Sequence, residues 1–293
     1  MPEIKFLKPM VALPRLGSAI RVFALEAPSV NEFLLEEKAK LLKLKGDAGT
    51  TSFTRDEECL TYTEGPFVLS LHRASGALRY YDSHRWQVDD GKSKVQFSDK
   101  QAAKIARRFL SQSKLVSLNE CRLLKFSRLH VGTMMHDASR ATERVIDVAV
   151  IFQRTIDELP VIGPGGKVVV YVAHDGEVSG CDIVWRRIKS VHSRIPVTEL
   201  HPPKFAEEHL IKYWTKREIL RIQVAETLFG YLELGPGESQ RYLQPAYVMP
   251  ITLSDAEGRM AIKTVYVVPA SFKPIGRLAP RAKPPVKQPV RRN

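Results

Sequence analysis

The residue types that usually carry enzymatic chemistry are all present, but their spacings do not assemble a known catalytic group. Histidines stand at 72, 84, 130, 136, 174, 192, 201 and 209. A zinc protease needs two histidines one helical turn apart, with a glutamate beside them as base. Glu207-Glu208-His209 has the acid and one histidine, but Phe205 stands where the second is needed. His201 is eight residues before His209, yet Pro202-Pro203 keeps it ahead of the helix. His130 and His136, with Asp137, flank Gly132-Thr-Met-Met and could meet at a hairpin mouth. They carry one alternative reading, a hydrolase with an unrecognised metal site; a surface or capping role is the plainer account, and no metal is assigned. Ser179-Gly180-Cys181-Asp182 is the nearest thing to a nucleophile elbow, and it lies in a strand pattern. Gly163-Pro-Gly-Gly166 is followed by Lys167, but a phosphate loop must open a helix, and Lys167 opens a valine-rich strand, so a plain turn is expected. Paired acids such as Glu36-Glu37 and Glu207-Glu208 are adjacent and point apart, as solvated surface would. Cys59, Cys121 and Cys181 are odd in number and widely spaced, which suits reduced, mostly buried thiols. The expectation is a non-enzyme without a cofactor.

Binding chemistry is better represented. Residues 100–130 hold Lys100, Lys104, Arg107, Arg108, Lys114, Arg122, Lys125 and Arg128 against Glu120 alone, a local charge of +7. Lys100, Lys104, Arg107 and Arg108 recur at helical spacing and make one stripe. Arg186 and Arg187 follow Trp185, and Tyr80, Tyr81 and Trp86 sit beside Arg79 and Arg85, a composition favoured at interfaces. These nine residues (Lys100, Lys104, Arg107, Arg108, Tyr80, Tyr81, Trp86, Arg186, Arg187) are the candidate partner-binding set. Core packing for the aromatics and a solvated face for the charges are the plain alternatives. The basic stretches also suit phosphate backbones, but no helix-turn-helix, zinc finger or RNP-like aromatic motif accompanies them.

The elements that must position these residues follow from periodicity. The first thirty residues read as proline-rich and irregular. Ser29 is the expected cap of a helix over 30–44, with Glu32 as its box partner and Gly46 as its stop. Short strands follow near 58–64, 66–73 and 77–82. A second helix spans about 99–113, capped by Ser98 or Asp99, with Ala102, Ile105, Ala106, Phe109 and Leu110 on its apolar face. Long strands come next, near 120–133, 143–157, 167–174 and 177–187, with Asp175-Gly176 turning the last pair. In 143–157, Ile146, Val148, Val150 and Phe152 take one side, and Asp147 and Gln153 the other. A third helix covers about 202–214, then strands near 218–232, 241–253 and 260–268. Pro245 and Pro250 mark 241–253 as an edge strand.

One segment is more specific: Phe152-Gln153, then Leu159-Pro160-Val161, Gly163, and a valine-rich hairpin closed by Asp175-Gly176-Glu177-Val178. It resembles the propeptide-type modules of fungalysin- and thermolysin-like metalloproteases and the related PepSY domains. The resemblance covers residues 152–178 strongly and 98–187 loosely. It implies a cystatin-like unit, a helix across an antiparallel sheet, that inhibits or chaperones a protease domain. No protease domain is attached here, so the resemblance implies a binding or inhibitory unit.

The whole chain has 293 residues, a formal charge of +13, 44% hydrophobic and 26% charged residues. Those proportions exclude wholesale disorder. Seven of the positive charges lie in 273–293, beside five prolines and no acid, so an extended, disordered tail is expected there. No run of 18 apolar residues occurs, and no secretory leader is visible. The chain as given reads as cytoplasmic, or as extracytoplasmic if a leader was removed. The sequence thus predicts an α+β protein of tandem helix-plus-antiparallel-sheet units: 1–97, a central PepSY/propeptide-like unit at 98–195, 196–272, and the basic tail 273–293. The expected role is a non-catalytic protein-binding, inhibitory or assembly subunit whose partner presents an acidic face. A nucleic-acid-associated structural protein is the alternative.

Overall fold

The computed structural model describes residues 3–9, 13–14, 16–44, 51–85, 93–133, 142–215, 221–255 and 261–278. Three helices follow the apolar period, two of them behind a side-chain cap. α1 (Glu32–Leu41) begins at Asn31, not Ser29: the Asn31 side-chain oxygen accepts from Leu34 N at 2.9 Å. α2 (Asp99–Ser113) opens on a complete capping box between Ser98 and Gln101, and it buries Ala102, Ala106 and Leu110. α3 (Pro203–Trp214) starts on a proline, where no backbone N–H is needed, and buries Ala206, Leu210 and Trp214. None of the helices described is long and apolar enough to cross a membrane.

The described strands are β1 (Glu3–Phe6), β2 (Ala19–Leu25), β3 (Thr51–Arg55), β4 (Cys59–Glu64), β5 (Phe67–His72), β6 (Leu78–Asp82), β7 (Cys121–Thr133), β8 (Thr142–Ile156), β9 (Leu159–Ile162), β10 (Lys167–Ala173), β11 (Val178–Val184), β12 (Ile188–Pro196), β13 (Arg221–Val224), β14 (Leu228–Leu232), β15 (Tyr242–Ser254) and β16 (Ala261–Pro269). All sixteen join one mixed sheet, whose main path runs β1-β13-β15-β14-β9-β8-β10-β11-β6-β5-β4-β3. The β1–β13 and β14–β9 pairs are parallel and the others antiparallel.

This corrects the expected fold class. The described chain is a sheet-dominated fold with three helices, not a row of helix-plus-sheet units. The sheet does not stop where a local unit would end. β9 pairs with β8 on one side and β14 on the other, β11 pairs with β6, and β2 pairs with β12 and β15. The first thirty residues are also not wholly irregular: β1 and β2 lie there and pair with β13, β12 and β15. The strand expected over 218–232 is two, β13 and β14, separated by residues 225–227.

β15 is not an edge strand. It pairs with β13 and β14 along one side and β16 along the other. Its prolines fit because each stands where a partner strand ends. The Pro250 carbonyl accepts from Ala225 N at 2.9 Å, in the gap between β13 and β14, and the Pro245 carbonyl accepts from Ala270 N at 3.3 Å, just beyond β16. The N–H each proline lacks would have pointed to the same side, where no ladder bond is lost.

Burial is concentrated on both sides of β9. One core sets α1 and α2 against Leu69, Val148, Val150, Phe152, Val168 and Val170. The other sets α3 against Val22, Tyr231, Leu243, Tyr247 and Met249. A smaller cluster of Ile162, Leu232, Leu234, Ala246 and Val248 lies around the β9–β14 pair. The expected tail is described only as far as Leu278; there Ile275 N donates to Gln244 Oε1 at 2.8 Å and Arg277 pairs with Glu238 at 2.5 Å. Residues 279–293 lie outside the described residues.

Candidate functional site

The nine candidate residues do not converge. Lys100, Lys104, Arg107 and Arg108 are exposed on α2. Tyr80 is buried in the α1/α2 core, because Leu78, Tyr80 and Asp82 alternate to the covered side of β6. Tyr81 is on the opposite side of β6, and Trp86 lies outside the described residues. Arg187 is 84% exposed, 3.8 Å from Glu26.

Arg186 is not at the surface. Its guanidinium donates to the carbonyls of Leu234 (2.7 Å), Gly235 (2.8 Å) and Glu238 (2.5 Å), and to the fully buried Glu233 carboxylate at 3.2 Å. Glu233 Oε1 also accepts from Arg186 N at 2.9 Å. Arg154 joins the group: it donates to the Arg186 carbonyl (2.7 Å) and to Glu120 (2.6 Å), and it lies 4.8 Å from the Trp185 ring centre. Burial pushes the Glu233 carboxyl up and the Arg186 guanidinium down, and each opposes the other's shift. This network ties the end of β11 to the loop after β14. The Gly163–Gly166 loop packs on the same place, with Gly165 N donating to the Glu233 carbonyl at 2.9 Å. A Cβ on Gly165 would lie 2.4 Å from the Leu234 carbonyl oxygen, and Gly166 has φ +66. The loop is a close-packed turn, as the sequence suggests.

Two other places have the geometry of a site. The first is the free edge of β7. Among the described residues, its only strand neighbour is β8, which pairs with every β7 residue but Leu124. From Arg122 to His130, every residue but Phe126 is exposed, including Leu123, Leu124 and Leu129. The register puts Leu123, Phe126 and Arg128 on the α2 side and Lys125, Ser127 and Leu129 on the other, with a bulge between Leu123 and Lys125. α2 runs alongside: Asp99 pairs with Arg128, and the Arg107 guanidinium lies 5.4 Å from the Phe152 ring centre on β8. Helix geometry therefore turns the Lys100–Arg107 flank of α2 toward β7, with Lys104 and Arg108 further out. Arg122, Lys125, Lys100, Lys104, Arg107 and Arg108 have no acidic partner among the described residues.

The second place is a cavity of about 290 Å³ on the sheet face turned away from α2. Its lining is Arg85, Ser127, Arg128, Leu129, Ile146, Asp147, Ala149 and Tyr171. Asp147 is only 7% exposed, and its Oδ2 accepts from Ser179 Oγ at 2.7 Å. Burial raises its carboxyl to about 6, opposed by the Ser179 hydrogen bond. Arg85 is engaged by Asp82 (3.2 Å) and Asp175, Arg128 by Asp99, and Tyr171 donates to Asp182 at 2.8 Å. The sequence pattern assigns Asp147 to the outward face of β8, and that is where it lies. What the pattern misses is that Asp147 is buried on this face, beside a cavity. The available signal is an acid inside the run Val145-Ile-Asp-Val-Ala-Val-Ile-Phe152, apolar on both of its alternating sides.

His130 Nδ1 is 3.1 Å from Glu143, and His136 lies outside the described residues. No group of three or more potential ligands able to hold a metal ion occurs among the described residues. Cys121 and Cys181 are buried, Cys59 is half-buried, and all three are free.

No protein-family model matches the chain, and no curated protein does. Among solved structures, an uncharacterized protein from Eubacterium rectale ATCC 33656 is similar, with a TM-score of 0.52 over 90% of this chain and 86% of that one, at 13% identity. At that identity the likeness speaks to the fold alone.

Proposed function

We propose that this is a non-catalytic binding protein that takes up an acidic, extended segment of a partner protein along the free edge of β7. The observation that carries the reading is that edge itself: a thirteen-residue strand paired on one side only, with exposed leucines and unpaired cations together. A long, exposed edge with apolar side chains is an association hazard that proteins ordinarily blunt or cover. An added strand would satisfy its free N–H and C=O groups and lay alternate side chains on its two sides. On the α2 side, acids of the segment would meet Lys100 and Arg107; on the other, Lys125. The resemblance of residues 152–178 to propeptide-type modules favours the same class of role.

A selection from a displayed peptide library tests this directly. The enriched peptides should alternate acidic with apolar or β-branched residues, and the Arg122→Glu/Lys125→Glu variant should bind them at least about tenfold more weakly. Enrichment without acids, or unchanged binding by the variant, overturns the reading. Single-stranded poly(U) bound more tightly than any selected peptide at 150 mM salt would make nucleic acid the better account.

A further inference from the structure

The cavity on the opposite face of the sheet calls for a different ligand. It is lined by a buried carboxylate, Asp147, which has no cation partner among the described residues. Among the described residues, Asp147 has one hydrogen bond, from Ser179, and burial raises its carboxyl against that bond. The arginines that line the cavity do not compensate it, since Arg85 is engaged by Asp82 and Asp175, and Arg128 by Asp99. The walls are Leu129, Ile146, Ala149 and the ring of Tyr171. An uncompensated buried charge costs stability, and a group that exacts this cost in the lining of a cavity is a binding-site candidate.

Size and charge narrow the ligand. At about 290 Å³ the space falls at the lower end of ordinary ligand pockets. That excludes a dinucleotide or a second protein segment. An anionic ligand would bring its charge to Asp147 and find both arginines already engaged. An apolar ligand without a head group would leave the carboxylate unpaired.

The geometry points to a site for a small apolar monoamine, its ammonium paired with Asp147 and its hydrocarbon body against Leu129, Ile146, Ala149 and Tyr171. This site is separate from the β7 edge and does not rest on the strand-capture reading.

Phenethylamine, its neutral N-acetyl derivative and the anion 3-phenylpropionate, titrated by calorimetry at pH 8, test it on the full-length protein. Phenethylamine should bind one to one, at least about tenfold more tightly than either analogue. Asp147→Asn should abolish that preference, and Ala149→Phe should fill the cavity and abolish phenethylamine binding. The Asp147→Asn result stands even if Ala149→Phe fails to fold. The proposal is overturned if phenethylamine does not bind, if an analogue binds as tightly, if Asp147→Asn keeps the preference, or if a folded Ala149→Phe still binds.

Discussion

Replacing Asp147 by Asn should stabilise the protein, and by an amount that depends on pH in a calculable way. In the unfolded chain the carboxyl ionises near 3.8; in the folded protein burial raises it to about 6. A raised carboxyl value means the folded state holds its proton over a range where the unfolded state has released it. Stability from this group is therefore fully present below about pH 3.8 and is lost as pH rises toward 6. Linkage puts the full cost of the ionised form at about 3 kcal/mol at pH 8, about 1.6 at pH 5 and about 0.6 at pH 4. Asn cannot ionise, yet its side-chain oxygen can still accept from Ser179. The Asn variant should thus be more stable than the native protein by about these amounts, the gap widening with pH. Urea unfolding of both proteins at pH 4, 5 and 8 measures it, and taking the difference cancels the titration of every other group. A variant that is less stable at pH 8, or a gap that does not change with pH, would refute the claim that an uncompensated carboxylate is buried there.

Two further substitutions, with Arg187→Ala as a control, probe the joint between the cores. Glu233→Ala leaves Arg186 buried without its counter-charge and should cost about 3–5 kcal/mol in urea unfolding, whereas Arg187→Ala, one residue from Arg186 but exposed, should stay within about 0.5 kcal/mol. Equal effects would remove the distinction between these neighbouring arginines. Gly165→Ala places a Cβ 2.4 Å from the Leu234 carbonyl oxygen and should cost about 1–3 kcal/mol; unchanged stability would show that the loop can move away.

Much of the local structure is legible in the sequence. The α2 pattern gives the span 99–113 and Ser98 as a candidate cap from the apolar period, and the structure adds Gln101 as the other half of a capping box. The long hairpins of β7, β8, β10 and β11 follow from alternation and from Asp175-Gly176. Their assembly is not legible. β14–β9, β11–β6, β2–β15 and β1–β13 are pairings between distant segments, and nothing in the local pattern of either partner specifies the other. That is why repeated helix-then-hairpin order suggests separate units while the strands join one sheet. Proline misleads at β15 for a related reason: a missing N–H reads as an edge, although here it stands at the end of a neighbouring strand. The candidate residues divide in the same way. The α2 stripe follows from helical period, but Arg186 and Arg187 look alike in sequence and differ because one meets Glu233. Asp147 is placed on its correct face by alternation, but the cavity over that face is made by Arg85 and by residues of β7 and β10.

Amide hydrogen exchange of the full-length protein, with and without the tightest peptide selected from the library, bears most directly on strand capture at β7. Strand capture predicts slowed exchange concentrated in residues 121–133, with the free-edge N–H groups of β7 protected by the added strand. No slowing in 121–133 at saturating peptide, or slowing centred on β3, β12 or β16 instead, would contradict it.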